Sequence, residues 1–129
     1  MKTTSYRDLD IFNKAYRLAV EIHELSLDLP RHETYEEGSQ IRRSSKSVAS
    51  NIVEGFGRKR YKQEFVKFLI YSHASCDETL VHLSFLFDCG SFMDKSKFNY
   101  LREEYISLSK MINGFLTAVE EGHRTKTGS

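Results

Sequence analysis

Residues 98–119, FNYLREEYISLSKMINGFLTAV, place Phe98, Leu101, Tyr105, Leu108, Ile112, Phe115 and Val119 at alternating steps of three and four. At 3.6 residues per turn that spacing returns every one of these side chains to the same face, so the stretch predicts an amphipathic helix. Asp94 or Ser91 stands where a cap would open it. A short amphipathic helix is marginal alone in water, so the rest of the chain has to supply partners for the stripe.

Three more helices can be read moving toward the N-terminus. One starts near Tyr61 and carries Phe65, Phe68, Leu69, Ser72, Cys76, Leu80, Leu83 and Leu86 or Phe87. It closes at Cys89-Gly90, glycine being the usual residue just past a helix end. The one before it runs from about Tyr35 or Ser39 to about Gly55, with Ile41, Ser45, Val48, Ile52 and Gly55 or Phe56 on its stripe. The first bears Ile11, Ala15, Leu18, Ile22, Leu25 and Leu29, with Asp8 or Ser5 as cap and Pro30 as terminator. The polar segment LPRHETYEEGS (29–39) reads as a connection. No alternating run suggests a strand. Four helices with short connections predict an all-α fold, an antiparallel up-down four-helix bundle, as one domain over residues 1–122 with a flexible tail over 123–129.

The chain has 129 residues, 40% of them apolar and 29% charged, a globular composition able to bury about two-thirds of its unfolded surface. Cys76 and Cys89 are too few and too far apart for a disulfide scaffold, MKTTSYRDLDIF lacks the apolar core of a signal peptide, and no apolar run is long enough to span a bilayer. A cytoplasmic protein away from membranes is expected.

The second helix carries three faces. Ile41, Ser45, Val48, Ala49, Ile52 and Phe56 share one arc, and Arg42, Arg43 and Lys46 a second. Ser44, Ser47 and Asn51 share a third, with Glu54 between the last two. Small polar side chains permit close backbone approach, so Ser44, Ser47, Asn51, Glu54 and Gly55 are expected in packing or at an oligomer interface.

Charge is concentrated locally. The chain carries only +1, yet residues 42–67 hold Arg42, Arg43, Lys46, Arg58, Lys59, Arg60, Lys62 and Lys67 against Glu54 and Glu64, which is +6 within 26 residues. All eight fall on one helical hairpin, whose turn contains Gly55 and Gly57. Phosphate backbones are polyanions, and binding them releases counterions, so Arg42, Arg43, Lys46, Arg58, Lys59, Arg60 and Lys62 form the candidate nucleic-acid interface. The plainer alternative is a solvated loop after a helix stop. GFGRKR is neither a P-loop nor a dinucleotide fingerprint. Tyr61 and Tyr71 fall near this hairpin, where a base can stack on an exposed ring, although tyrosines at a helix boundary need no such role.

Catalytic patterns are weak. His73, Cys76 and Asp77 stand at i, i+3 and i+4, but no second cluster completes a metal site, and Cys76 falls on an apolar stripe. His73 lacks the basic neighbour of a phosphotransfer histidine. Glu103-Glu104 and Glu120-Glu121 are adjacent pairs that point in different directions on a helix, and no Ser-His-Asp or Cys-His set can be placed. Neither enzyme activity, metal nor cofactor is expected.

Leu29-Pro30 with Glu33 and Tyr35, Gln40-Ile41-Arg42-Arg43, Ser47 through Asn51-Ile52, Glu54-Gly55, Glu64-Phe65, Phe68-Leu69, and Ser75 with Glu78 together resemble the bacterial family named for proteins encoded in 23S rRNA intervening sequences. With YRDLDIF near the start, the resemblance covers most of the chain. It implies an antiparallel four-helix bundle and a ring-shaped homopentamer. The related accessory variability protein of diversity-generating retroelements, by the same resemblance, implies nucleic-acid contact and a reverse transcriptase partner. Two departures stand out: Gly38, where an apolar residue is usual and whose presence is expected to loosen the helix start, and Ser44-Ser45 in place of an alanine-like pair. The expected function is thus a non-enzymatic oligomer binding RNA or DNA phosphates, the alternative being a scaffold that docks a protein partner.

Overall fold

The computed structural model describes residues 5–128, with side chains through Gly122. Its long helices are α1 (Asp10–Leu27), α3 (Glu37–Gly57), α4 (Lys62–Asp88) and α5 (Lys95–Gly128). A 3-10 turn, Tyr6–Asp8, precedes α1, and a one-turn helix, α2 (Arg31–Thr34), leads from α1 into α3. No strand occurs among the described residues. This is the all-α four-helix bundle that the periodicity predicts.

α1 packs on α3 and α5, and α4 packs on the same two helices, so α1 and α4 stand on opposite corners. Partners along three of these neighbouring pairs run in opposite order. Ser44, Val48 and Gly55 of α3 meet Thr79, Ser72 and Phe65 of α4. Phe65 and Cys76 of α4 meet Phe115 and Tyr105 of α5, and Lys14 and Glu21 of α1 meet Ser107 and Lys97 of α5.

The stripes supply the core. Leu18, Ile22, Ile41, Val48, Ile52, Leu69, Leu83, Leu86, Leu101, Leu108 and Ile112 are fully buried, each contributing about 1.5–3 kcal/mol relative to exposure. Leu25, Phe68, Leu80, Phe98, Phe115 and Val119 lie on predicted stripes but are only half-buried, while Phe12, Ala19, Ser26 and Thr79 are buried beside them. Each helix of a bundle faces two neighbours, so its covered arc is broader than a single line of residues.

Local chemistry sets the ends. Ser5 caps the 3-10 turn rather than α1: its hydroxyl accepts from the Arg7 N–H and Asp8 returns a bond to the Ser5 N–H. Asp94 opens α5 by accepting from the Lys97 N–H at 3.0 Å. Gly90 has φ +81°, and the Ser91 N–H reaches the Leu86 carbonyl while the Gly90 N–H reaches Phe87, the paired bonds of a Schellman end. The segment read as a plain connection contains α2. Gly38 does not loosen α3. A Cβ there would lie 2.7 Å from the Glu33 carbonyl oxygen, so glycine is what lets α2 rest on the first turn of α3. α5 continues as helix through Gly128; the side chains from His123 onward, and Ser129, lie outside the described residues, and with them the tail expected over 123–129.

Candidate nucleic-acid interface

The third face of α3 forms a polar seam with α4. Thr79 donates to the buried Ser44 hydroxyl at 2.9 Å, Ser75 donates to Ser47 at 3.0 Å, and Ser72 donates to the Val48 carbonyl at 2.7 Å. Asn51 donates to both the hydroxyl and the carbonyl of Ser47. Ser44, Ser47 and Gly55 are therefore packing residues within one chain. At Gly55 an added Cβ would sit 3.1 Å from Phe68 Cβ and 3.2 Å from Phe65 Cδ1, so the helices touch backbone to ring there. Gly55 does not stop the helix, which runs on to Gly57.

Beyond Gly57 the chain turns through Arg58–Tyr61, closed by the Tyr61 N–H on the Arg58 carbonyl at 2.8 Å. Tyr61 gives α4 no side-chain cap. Arg58 binds Glu54 from the same helix end, faces Glu64 at 3.8 Å, and lies 4.6 Å over the Phe68 ring. Glu54, expected in packing or at an oligomer interface, is exposed and is the i–4 partner of Arg58. Lys59 sits 4.0 Å over Phe56, and Lys67 pairs with Glu64 at 3.1 Å. Arg60 and Lys62 make no ion pair among the described residues. Arg58 thus acts as a clamp on the turn, and Arg60 and Lys62 are its available cations.

Not every predicted contact residue reaches this tip. Arg42 turns inward, donating to Ser26 at 2.9 Å and to the Thr34 carbonyl at 2.7 Å, where it ties α1, α2 and α3 together. Its position on the basic arc of α3 is a structural one, because two acceptors at this junction, the Ser26 hydroxyl and the Thr34 carbonyl, are met together by its fork of donors. Arg43 is exposed and bonds Gln40, and Lys46 edges a groove between α1 and α3. Both stand about 20 Å along the helix from Arg58, at 1.5 Å per residue. The +6 hairpin therefore resolves into a tip cluster (Arg58, Lys59, Arg60, Lys62, Lys67) and two separate side-face cations.

Elsewhere the fold assembles clusters invisible to spacing alone. Ser109 of α5 bonds His73 Nε2 at 3.0 Å and Asp77 at 3.4 Å, with His73 Nδ1 3.7 Å from Asp77. These residues lie mid-helix, where backbone amides are already committed to intrahelical bonds, so the backbone here offers the serine no oxyanion donors. His82 lies between Glu37 at 2.6 Å and Glu78 at 3.2 Å, fastening the start of α3 to α4. Cys76 is buried and donates to the Tyr105 carbonyl; burial, with the nearby Asp77 charge, pushes its thiol up to about 12.

The family profile described as 23S rRNA-intervening sequence protein matches residues 7–114. The chain belongs to that family. Among solved structures, the chain is similar to a protein of unknown function from the S23 ribosomal protein family of Bacteroides thetaiotaomicron, at 19% identity and a TM-score of 0.74 over 83% of this chain and 95% of the other. No curated protein matches. At that identity the neighbour speaks to the fold alone, and the bundle of this 23S rRNA-intervening sequence protein agrees with it. Among its described residues no helix is long and apolar enough to cross a membrane.

Proposed function

We propose that the chain is a non-enzymatic, self-associating cytoplasmic bundle that holds nucleic-acid phosphates at the α3–α4 turn. The observation that carries this is the turn itself: Arg58 is locked by two carboxylates and a ring, and Arg60 and Lys62 project beside it without acidic partners among the described residues. An uncompensated cation pair beside an anchored chain reversal suits a phosphate backbone, and contacts of this kind read charge rather than sequence. Replacing Arg60 and Lys62 with alanine lowers the slope of log affinity against log salt by up to about 0.9–1.8, one or two phosphate contacts. An unchanged slope removes these residues from the interface.

Self-association has support of its own, apart from the family's resemblance to ring-shaped pentamers. An apolar groove of about 450 Å³ lies between α1 and α3, walled by Phe12, Tyr16, Val20 and Val53, with Lys46 at its edge. On the opposite flank, between α4 and α5, Val81 and Phe85 are half-exposed beside Asp88. Two apolar surfaces on opposite flanks, one with Lys46 at its edge and the other beside Asp88, suit a head-to-tail contact. Val20→Glu and Phe85→Glu each then abolish self-association, while an equimolar mixture of the two variants yields a dimer by mass photometry. A mixture that stays monomeric overturns the head-to-tail arrangement. In a ring of five, the tip clusters would together carry about fifteen positive charges, a field one copy cannot make.

A further inference from the structure

The first turns of α4 bear a cleft of about 440 Å³ whose chemistry is more than cationic. Along one stripe stand Lys62, Gln63, Val66, Lys67, Ile70 and Tyr71, with Glu120 of α5 across from them. A solvated helix face would carry polar residues at the positions of Val66, Ile70 and Tyr71. Here Ile70 is 49% exposed and Tyr71 48%, and Tyr61, just before the helix, is 62% exposed. The Tyr71 ring is held edge-on by Phe68, centroids 5.6 Å apart at 85°, and Phe68 is in turn covered by Arg58 and Lys67. The ring is therefore braced from behind while its outer side stays open.

We propose that this cleft receives one unpaired base of a nucleic-acid strand, guanine above the others, stacked on Tyr71. This rests on the phosphate-binding reading above and names its substrate class. A duplex offers only phosphates and groove edges, and would leave an apolar stripe facing water. A splayed base brings a flat apolar face for Tyr71 and Ile70, a phosphate for Lys62 or Lys67, and polar edges for Gln63. Glu120 can only accept, so it favours a base edge with donors. Guanine presents two adjacent N–H groups, N1–H and N2–H, to a carboxylate; adenine and cytosine present an amino group alone, and uracil a single imino group.

The test is fluorescence anisotropy of the full chain with a labelled 12-nucleotide RNA strand containing guanines, the same strand annealed to its complement, an all-uridine strand, and the matching DNA strand. Single strands bind about tenfold or more tightly than the duplex at equal salt, with guanine-containing strands above uridine and the RNA–DNA pair close together. Tyr71→Ala weakens single-strand binding about tenfold or more and leaves duplex affinity and salt slope unchanged, while Tyr71→Phe retains it. Glu120→Gln, on an exposed side chain, narrows the guanine-to-uridine ratio. Equal affinity for strand and duplex, or Tyr71→Ala acting equally on both, overturns the base site and leaves phosphate binding standing. Hydrogen-exchange protection of the α4 stripe on self-association, with no strand preference, assigns it to a protein surface instead. No binding of any probe at low salt removes the phosphate reading and this one together.

Discussion

Two glycines two residues apart do opposite things at the end of α3. Gly55 is buried against Phe65 and Phe68, and the Cβ of an alanine would press within 3.1–3.3 Å of both residues. Gly55→Ala is expected to destabilise by about 1–3 kcal/mol as α3 is pushed off α4. Gly57 has nothing within 4 Å of such a Cβ and sits in the last helical turn, so Gly57→Ala is expected to be neutral or stabilising by about 0.5 kcal/mol. Thermal or urea unfolding of the two variants reads the difference; equal effects would contradict the packing role given to Gly55. The cysteines make a second contrast. Cys89 is exposed, whereas Cys76 is buried with its thiol held neutral by an upward shift to about 12. Iodoacetamide at pH 8 is expected to label one thiol in the folded protein and the second only on unfolding. Two thiols labelling at one rate in the native state would mean that α4 and α5 open there.

At the scale of elements, α1 is tied to α5 by a polar ladder along the outside of their contact. Arg17 donates to Glu104 at 2.7 Å and to Tyr100, and Lys14 donates to Glu104 and Ser107. The Arg17 bond, above all, holds the Glu104 carboxyl below its ordinary range. A lowered folded-state value means that the stabilisation is present above the unfolded value, about 4.3, and is lost as pH falls through the folded one. Glu104→Gln is therefore expected to cost a few tenths to about 1 kcal/mol at pH 7, a gap from wild type that closes below about pH 4. A gap that stays constant to pH 3 would show the carboxylate to be idle. The stripe of α5 was legible because seven apolar residues repeat a helix period, and the Gly90 stop because glycine tolerates positive φ. Thr79 and Ser26 were not, because a buried hydroxyl off the stripe has no signature until its partner is known. Arg42 misled for a related reason: a long side chain at the edge of a charged arc can lie outward or reach back to orphan carbonyls, and only the placement of α2 decides it.

For the whole molecule, the uneven charge was readable while its geometry was not. Counting along the hairpin gathers eight cations, but the helix length separates Arg43 and Lys46 from the tip, and the ion pairs of Arg58 and Lys67 spend part of what remains. What reaches outward is a smaller feature than the composition suggests, placed at one end of a neutral bundle and backed by exposed aromatic rings on α4. The opposite flanks carry apolar surfaces, so the assembly contacts and the ligand site proposed above fall on different parts of the same scaffold. The most direct test of this account is the salt dependence of RNA binding, by fluorescence anisotropy, for the wild-type chain and for Arg60→Ala/Lys62→Ala. Wild-type affinity is expected to fall steeply from low to near-physiological salt, with a shallower slope in the variant. Wild-type protein that leaves RNA unbound even at low salt, or a variant with the wild-type slope, would contradict it.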